Sequence, residues 1–85
     1  MKKHVKIYCD YFGIGEQDVL FCEHCGKGGK SGFNIHHIKY KSRGGTDDIE
    51  NLMCLCVKCH DMAHKELLTE SDLLLIHRTK MMQYG

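Results

Sequence analysis

FNIHHIKYKSRGGTDDIENLMCLCVKCHDMAH, residues 33–64, is the stretch that decides the fold. Phe33 to Ile38 reads as a strand, with Phe33, Ile35 and His37 on one face and Asn34, His36 and Ile38 on the other. Lys39 to Asp48 reads as a loop carrying Lys39, Lys41, Arg43 and a Gly44-Gly45 turn. Asn51 to Cys56 is a second strand with the apolar run Leu52-Met53-Cys54-Leu55. The Cys56-x-x-Cys59 pair then opens a helix predicted to run to about Leu68. Strand, loop, strand, helix is therefore the central order.

Upstream stands a second pair, Cys22-Glu23-His24-Cys25, followed by Gly26. Two C-x-x-C pairs read as one four-cysteine zinc site of Cys22, Cys25, Cys56 and Cys59. Two residues between ligands let a tight turn aim both thiolates at one ion. Gly26 can take the positive φ that turns backbone amides towards the sulfurs. A redox C-x-x-C is the competing reading, and a second pair at a distance weighs against it. The leftover Cys9 and Cys54 sit among apolar residues and are expected to be buried and unreactive.

Further out, Val5, Tyr8, Cys9 and Phe12 recur at helical spacing, which predicts a helix over 4–13 ended by Gly13 and Gly15. Val19-Leu20-Phe21 leads into the first cysteine pair, and residues 27–32 read as a flexible loop. A last helix should start after Thr69, where Thr69-Glu70-Ser71-Asp72 resembles a capping box with Asp in place of Glu. The chain has 85 residues, which predicts one small α+β domain over 1–85 with a core that needs a staple. No apolar run is long enough for a membrane span. Met1 to Lys6 lacks a following apolar region, so a reducing, cytoplasmic compartment is expected. A net charge of +1 argues against binding nucleic acid by bulk charge alone.

The chain holds seven histidines, enough to ask which of them share a site. His60 and His64 stand i, i+4 on the predicted helix and share one face, a natural spacing for two ligands of one metal. Ordinary surface histidines are the competing reading. His36 and His37 point to opposite faces of their strand, so one could bind metal while the other acts as a base. His4, His24 and His77 have no evident companions and read as surface or core residues.

His36-His37-Ile38, Gly44-Gly45-Thr46-Asp47-Asp48, Asn51-Leu52 and Leu55-Cys56-x-x-Cys59-His60, with the upstream Cys22/Cys25 pair, resemble the HNH endonucleases of the ββα-metal type. The resemblance spans residues 22–64. It implies a zinc-stapled ββα-metal (His-Me finger) domain with flanking helices. It further implies that His37 is the general base and that Asn51 steadies the finger and helps orient the base. His36 and His60 would ligate a catalytic divalent metal, and His64 matches an additional ligand found in some members. His36 departs from the more frequent Asp and makes the site softer, shifting preference from Mg²⁺ towards Mn²⁺, Ni²⁺ or Zn²⁺. The implied substrate is DNA, cut to 5′-phosphate and 3′-hydroxyl ends. Small members of this kind resemble phage packaging-associated endonucleases, so a packaging or other nucleic-acid-processing partner is a further expectation.

The chemistry is coherent on its own terms. Phosphodiester hydrolysis needs an activated water, charge stabilisation on phosphoryl oxygens and help for the leaving oxygen. Imidazole can take a water's proton at neutral pH. Lys39, Lys41 and Arg43, with Lys27 and Lys30 in the preceding loop, are candidate phosphate contacts, against a plain solvated loop. Tyr40 could stack on a sugar or base, but packing is the simpler role. A non-catalytic zinc module, and a subunit active only with a partner, are the rival readings.

Overall fold

A computed structural model describes residues 2–84; Met1 and Gly85, the bounds of the expected domain, lie outside the described residues. The elements in order are α1 (Lys3–Phe12), β1 (Leu20–Phe21), β2 (Gly28–Gly29), β3 (Phe33–His37), β4 (Leu52–Cys56), α2 (Val57–His64) and α3 (Glu70–Tyr84). Short 3-10 turns at Lys41–Arg43 and Ile49–Asn51 punctuate the β3–β4 connection. β3 and β4 pair antiparallel, with His36 opposite Met53 and His37 opposite Leu52. β1 and β2 pair antiparallel as a small hairpin beside the first cysteine pair.

β4 is buried along its whole length. Its alternation divides the interior in two. Met53 and Leu55 pack with Ile38, Ala63, Leu68 and Leu73 on the side of α2 and α3. Leu52 and Cys54 pack with Ile35, Tyr8 and Phe12 on the side of α1. The β3–β4 hairpin is thus a middle layer, with α1 on one face and α2 and the first half of α3 on the other, while the end of α3 (Met81, Tyr84) packs on the α1 side. This arrangement decides what each histidine of β3 meets.

One buried polar cluster crosses these layers. The Glu23 side chain has 0% exposure. Its Oε2 accepts the Tyr8 hydroxyl and the Cys54 N–H, the latter at 3.0 Å. Its Oε1 lies 2.7 Å from His77 Nδ1, and His77 Nε2 lies 2.7 Å from the Ile49 carbonyl. His77 therefore has companions that spacing did not reveal. Glu23 ties the cysteine turn to α1, to β4 and, through His77, to α3.

Several expected boundaries shift. The second strand begins at Leu52, because Asn51 belongs to a 3-10 turn. The first strand ends at His37, one residue early, although Ile38 N–H still bonds Asn51 O at 2.8 Å. α2 stops at His64 instead of running to Leu68. Glu66 takes a positive φ of 60° and turns the chain so that Leu68 enters the core. Residues 27–32 are not a uniform loop, since Gly28-Gly29 pairs with Leu20-Phe21. Cys9 is half-buried, whereas Cys54 is fully buried and burial, then Glu23, pushes its thiol up to about 12. The capping box is present: Thr69 Oγ1 accepts the Asp72 N–H, and Asp72 Oδ2 accepts the Thr69 N–H. Among the described residues no helix is long and apolar enough to cross a membrane.

Candidate functional site

The four paired cysteines converge. Their sulfurs all lie within 4.8 Å of one another. Sulfurs ~2.3 Å from one tetrahedral ion stand roughly 3.8 Å apart, and Cys25 Sγ and Cys56 Sγ are 3.7 Å apart. Gly26, at φ 80°, closes the first turn with its N–H on Cys22 O, while the Cys25 N–H faces Cys22 Sγ at 3.5 Å. The N–H of Cys59 bonding to its sulfur draws the Cys56 thiol down to about 7. Burial, then the neighbouring thiols, push the Cys59 thiol up. Four sulfurs this close can all be thiolates only around a cation, so the donor set fits zinc. His24, expected to stand alone, brings Nδ1 to 3.3 Å from Cys59 Sγ.

On the α2 face of the hairpin, His36 is 4% exposed. Its ring centroid lies 5.0 Å from that of His60 and 5.6 Å from that of His64. Donor nitrogens of the three lie within 4.8 Å of one another. His60 Nε2 and His64 Nε2 are 3.1 Å apart. Two imidazole nitrogens ~2.1 Å from one ion and at right angles stand roughly 3.0 Å apart, so the spacing suits a shared metal. Burial, reinforced by His60 and His64, holds His36 down to about 4. Burial also lowers His60, with His64 adding to it. Neutral imidazole is the form that ligates. Behind them Tyr40 stacks on His64, its hydroxyl 3.3 Å from His64 Nδ1, where it can accept that N–H and aim Nε2 inward. Tyr40 is therefore packed, as its simpler reading had it.

His37 projects to the α1 face. Its Nε2 lies 2.7 Å from Asp47 Oδ1, and Lys41 Nζ lies 3.2 Å from Asp47 Oδ2. Hydrogen bonds from His37, and then from Lys41, hold Asp47 below the usual carboxylate range. An ionised Asp47 only accepts, so Nε2 carries a proton, and in the neutral ring Nδ1 is the lone-pair nitrogen. Spacing alone gives Asp47 no role. Its one local signal is an acid set against a basic loop. His4 also joins this group, with its ring centroid 4.6 Å from that of His37.

Asn51 holds the connection that carries Asp47. Its Oδ1 accepts the Lys39 N–H at 2.7 Å, and its Nδ2 donates to Lys39 O at 3.0 Å and Thr46 O at 2.8 Å. The loop closes so tightly that a Cβ on Gly45 would stand 1.8 Å from Lys39 O. Glycine is obligatory there. Of the candidate phosphate contacts, Lys39 is exposed, Lys41 pairs with Asp47, and Arg43 reaches towards Glu70 at 3.9 Å. Lys27 and Lys30 are exposed on the β1–β2 side.

The model of a protein family described as HNH endonuclease matches residues 22–66. The chain belongs to the HNH endonuclease family. The matched segment holds all four zinc-type cysteines, the His36/His60/His64 cluster, His37, Asp47 and Asn51. The chain is 49% identical over 35 residues to the probable mobile endonuclease C of Enterobacteria phage T4, covering 41% of this chain and 17% of that protein. It is 34% identical over 58 residues to the type IV methyl-directed restriction enzyme EcoKMcrA of Escherichia coli, covering 60% of this chain and 21% of that protein. It is 50% identical over 32 residues to anaredoxin of a Nostoc species, covering 38% of this chain and 42% of that protein. The chain thus spans less than half the length of each of these relatives. No solved structure matches it. Two of these three relatives carry nuclease names, in keeping with the family.

Proposed function

We propose that the chain is a metal-dependent DNA endonuclease domain in which His37 is the general base and Asn51 fixes the loop that orients it. The observation that carries this reading is the division of labour across β3. His36 turns to His60 and His64, while His37 turns to Asp47 with Nδ1 left as an acceptor. His36, His60 and His64 would hold a divalent metal, whose Lewis-acid charge would stabilise the scissile phosphate and the leaving oxygen. Nδ1 of His37 takes a proton from water as its oxygen attacks phosphorus. The bond from phosphorus to the 3′-oxygen breaks, that oxygen takes up a proton from solvent water and leaves as a hydroxyl, and His37 returns its proton to solvent, giving 5′-phosphate and 3′-hydroxyl ends.

The cysteine cluster holds zinc in a structural role, so the two metal sites are separate. Lys39, Lys41 and Arg43 contact backbone phosphates. Such contacts give affinity without sequence reading, and the bond of Lys41 to Asp47 lets one side chain serve both loop and phosphate. We read residues 1–85 as one nuclease domain that works in a reducing cytoplasm. This reading requires no packaging partner.

Plasmid nicking tests it. Protein that keeps its zinc but is stripped at the histidine cluster is supplied with Mg²⁺, Mn²⁺, Ni²⁺ or Zn²⁺. Nicking returns with at least one of them in the wild type and not in His60→Ala. Failure with every metal, or equal nicking by both proteins, contradicts the proposal.

A further inference from the structure

His4, Tyr8 and Phe12 recur every four residues along α1 and form one stripe. Tyr8 and Phe12 pack with Ile35 on the β3 face that also carries His37. The next turn of the same stripe brings His4 against His37, with ring centroids 4.6 Å apart at an interplanar angle of 45°. His4 is the polar end of an otherwise apolar stripe, and it meets the histidine read here as the base. It lies outside the family-matched segment 22–66.

We propose that His4 is a positioning residue for His37. The inference rests on the reading of His37 as general base. The Asp47 hydrogen bond fixes one atom of the His37 ring, Nε2. A ring held at one atom can still swing about that point. A second ring packed against it removes this freedom and keeps Nδ1 aimed. Lys2, Lys41 and Asp47 are the other charged groups near His4. Burial, and next His37 itself, hold His4 below the usual imidazole range, so a neutral ring stands beside the group that gains charge in the reaction. The N-terminal helix then adds to the site a ring contact on His37 that lies outside the family segment.

The test uses the whole chain with its zinc, as wild type, His4→Ala and His4→Phe, on a short DNA duplex. His4→Ala should lower kcat about tenfold, in the range typical of residues that orient a reacting group, with KM within about twofold of the wild type. His4→Phe keeps a ring and should recover most of the loss. Full activity in His4→Ala overturns the proposal. Equal loss in both variants with a raised KM also overturns it, and makes His4 a phosphate contact instead. An NMR readout stands apart from activity: slow solvent exchange of the His37 Nε2 proton is expected in wild type and His4→Phe and lost in His4→Ala. If the wild type does not cut, the nuclease reading fails, and the exchange measurement still decides the His4 contact. Equal exchange in all three proteins overturns it.

Discussion

Two adjacent histidines face opposite ways because a strand alternates, and in the proposed mechanism that single step separates metal binding from proton transfer. His36 sits where burial and two other imidazoles disfavour its charged form, down to about 4. NMR titration of the metal-stripped histidine cluster, zinc retained, should give a His36 midpoint near 4. The sign follows by linkage. The folded state resists the proton that an unfolded histidine accepts below ~6.5, so this neutral group supports folding above that pH. The support fades as pH falls from there to about 4. A His36 midpoint near 6.5 would contradict the burial argument. For His37 the partner is Asp47. Asp47→Ala should lower cleavage by about 10–100-fold while binding of the second metal stays as in the wild type. Reduced metal binding in that variant would instead place Asp47 in the metal site.

The close pairs within the cysteine and histidine clusters were legible because their spacing is local: two residues for a turn, four for a helix face, one for a change of strand face; the match of His36 to His60 came from the family resemblance. Asp47, His4 and the Glu23–His77 pair were not. Asp47 meets His37 through the folding of the β3–β4 loop, and the others meet their partners through layer packing, His77 lying 54 positions from Glu23. No short-range period carries that information.

At the level of elements, the connection from β3 to β4 is where spacing said least. It reads as loop, yet it holds two 3-10 turns and is closed by three side-chain hydrogen bonds of Asn51. Asn51→Ala removes all three and should cost about 1–3 kcal/mol in urea unfolding. Cleavage should fall further than stability does, because Asp47 and Lys41 ride on the same loop. Wild-type stability in that variant would show that the loop does not depend on Asn51. The early end of α2 has a similar origin. Lys65 to Leu68 would suit a helix, but burying Leu68 beside Leu73 outweighs another turn. The β1–β2 hairpin also escaped a local reading, since glycines rarely mark a strand. Its pairing follows from the cysteine turn that it closes.

The described residues form three thin layers, with the β3–β4 hairpin as the middle one. A chain of this size gains limited stability from burial. The cysteine cluster joins the turn after β1 to the junction of β4 and α2, and Glu23 within that turn reaches α1 and α3. Loss of a zinc held there would therefore act on all layers at once. Cys22→Ser, or strong chelation, should abolish cooperative unfolding and collapse amide dispersion, because the metal's binding energy is folding energy here. A well-folded Cys22→Ser protein would count against the staple.

The central claim is that one histidine binds no metal and moves the proton, while three others bind metal. It is tested most directly by measuring second-metal binding and plasmid cleavage on the same zinc-loaded samples of wild type and His37→Ala. We predict equal binding of the second metal and cleavage by the wild type alone. Loss of metal binding in His37→Ala, or cleavage equal to the wild type, would contradict the assignment.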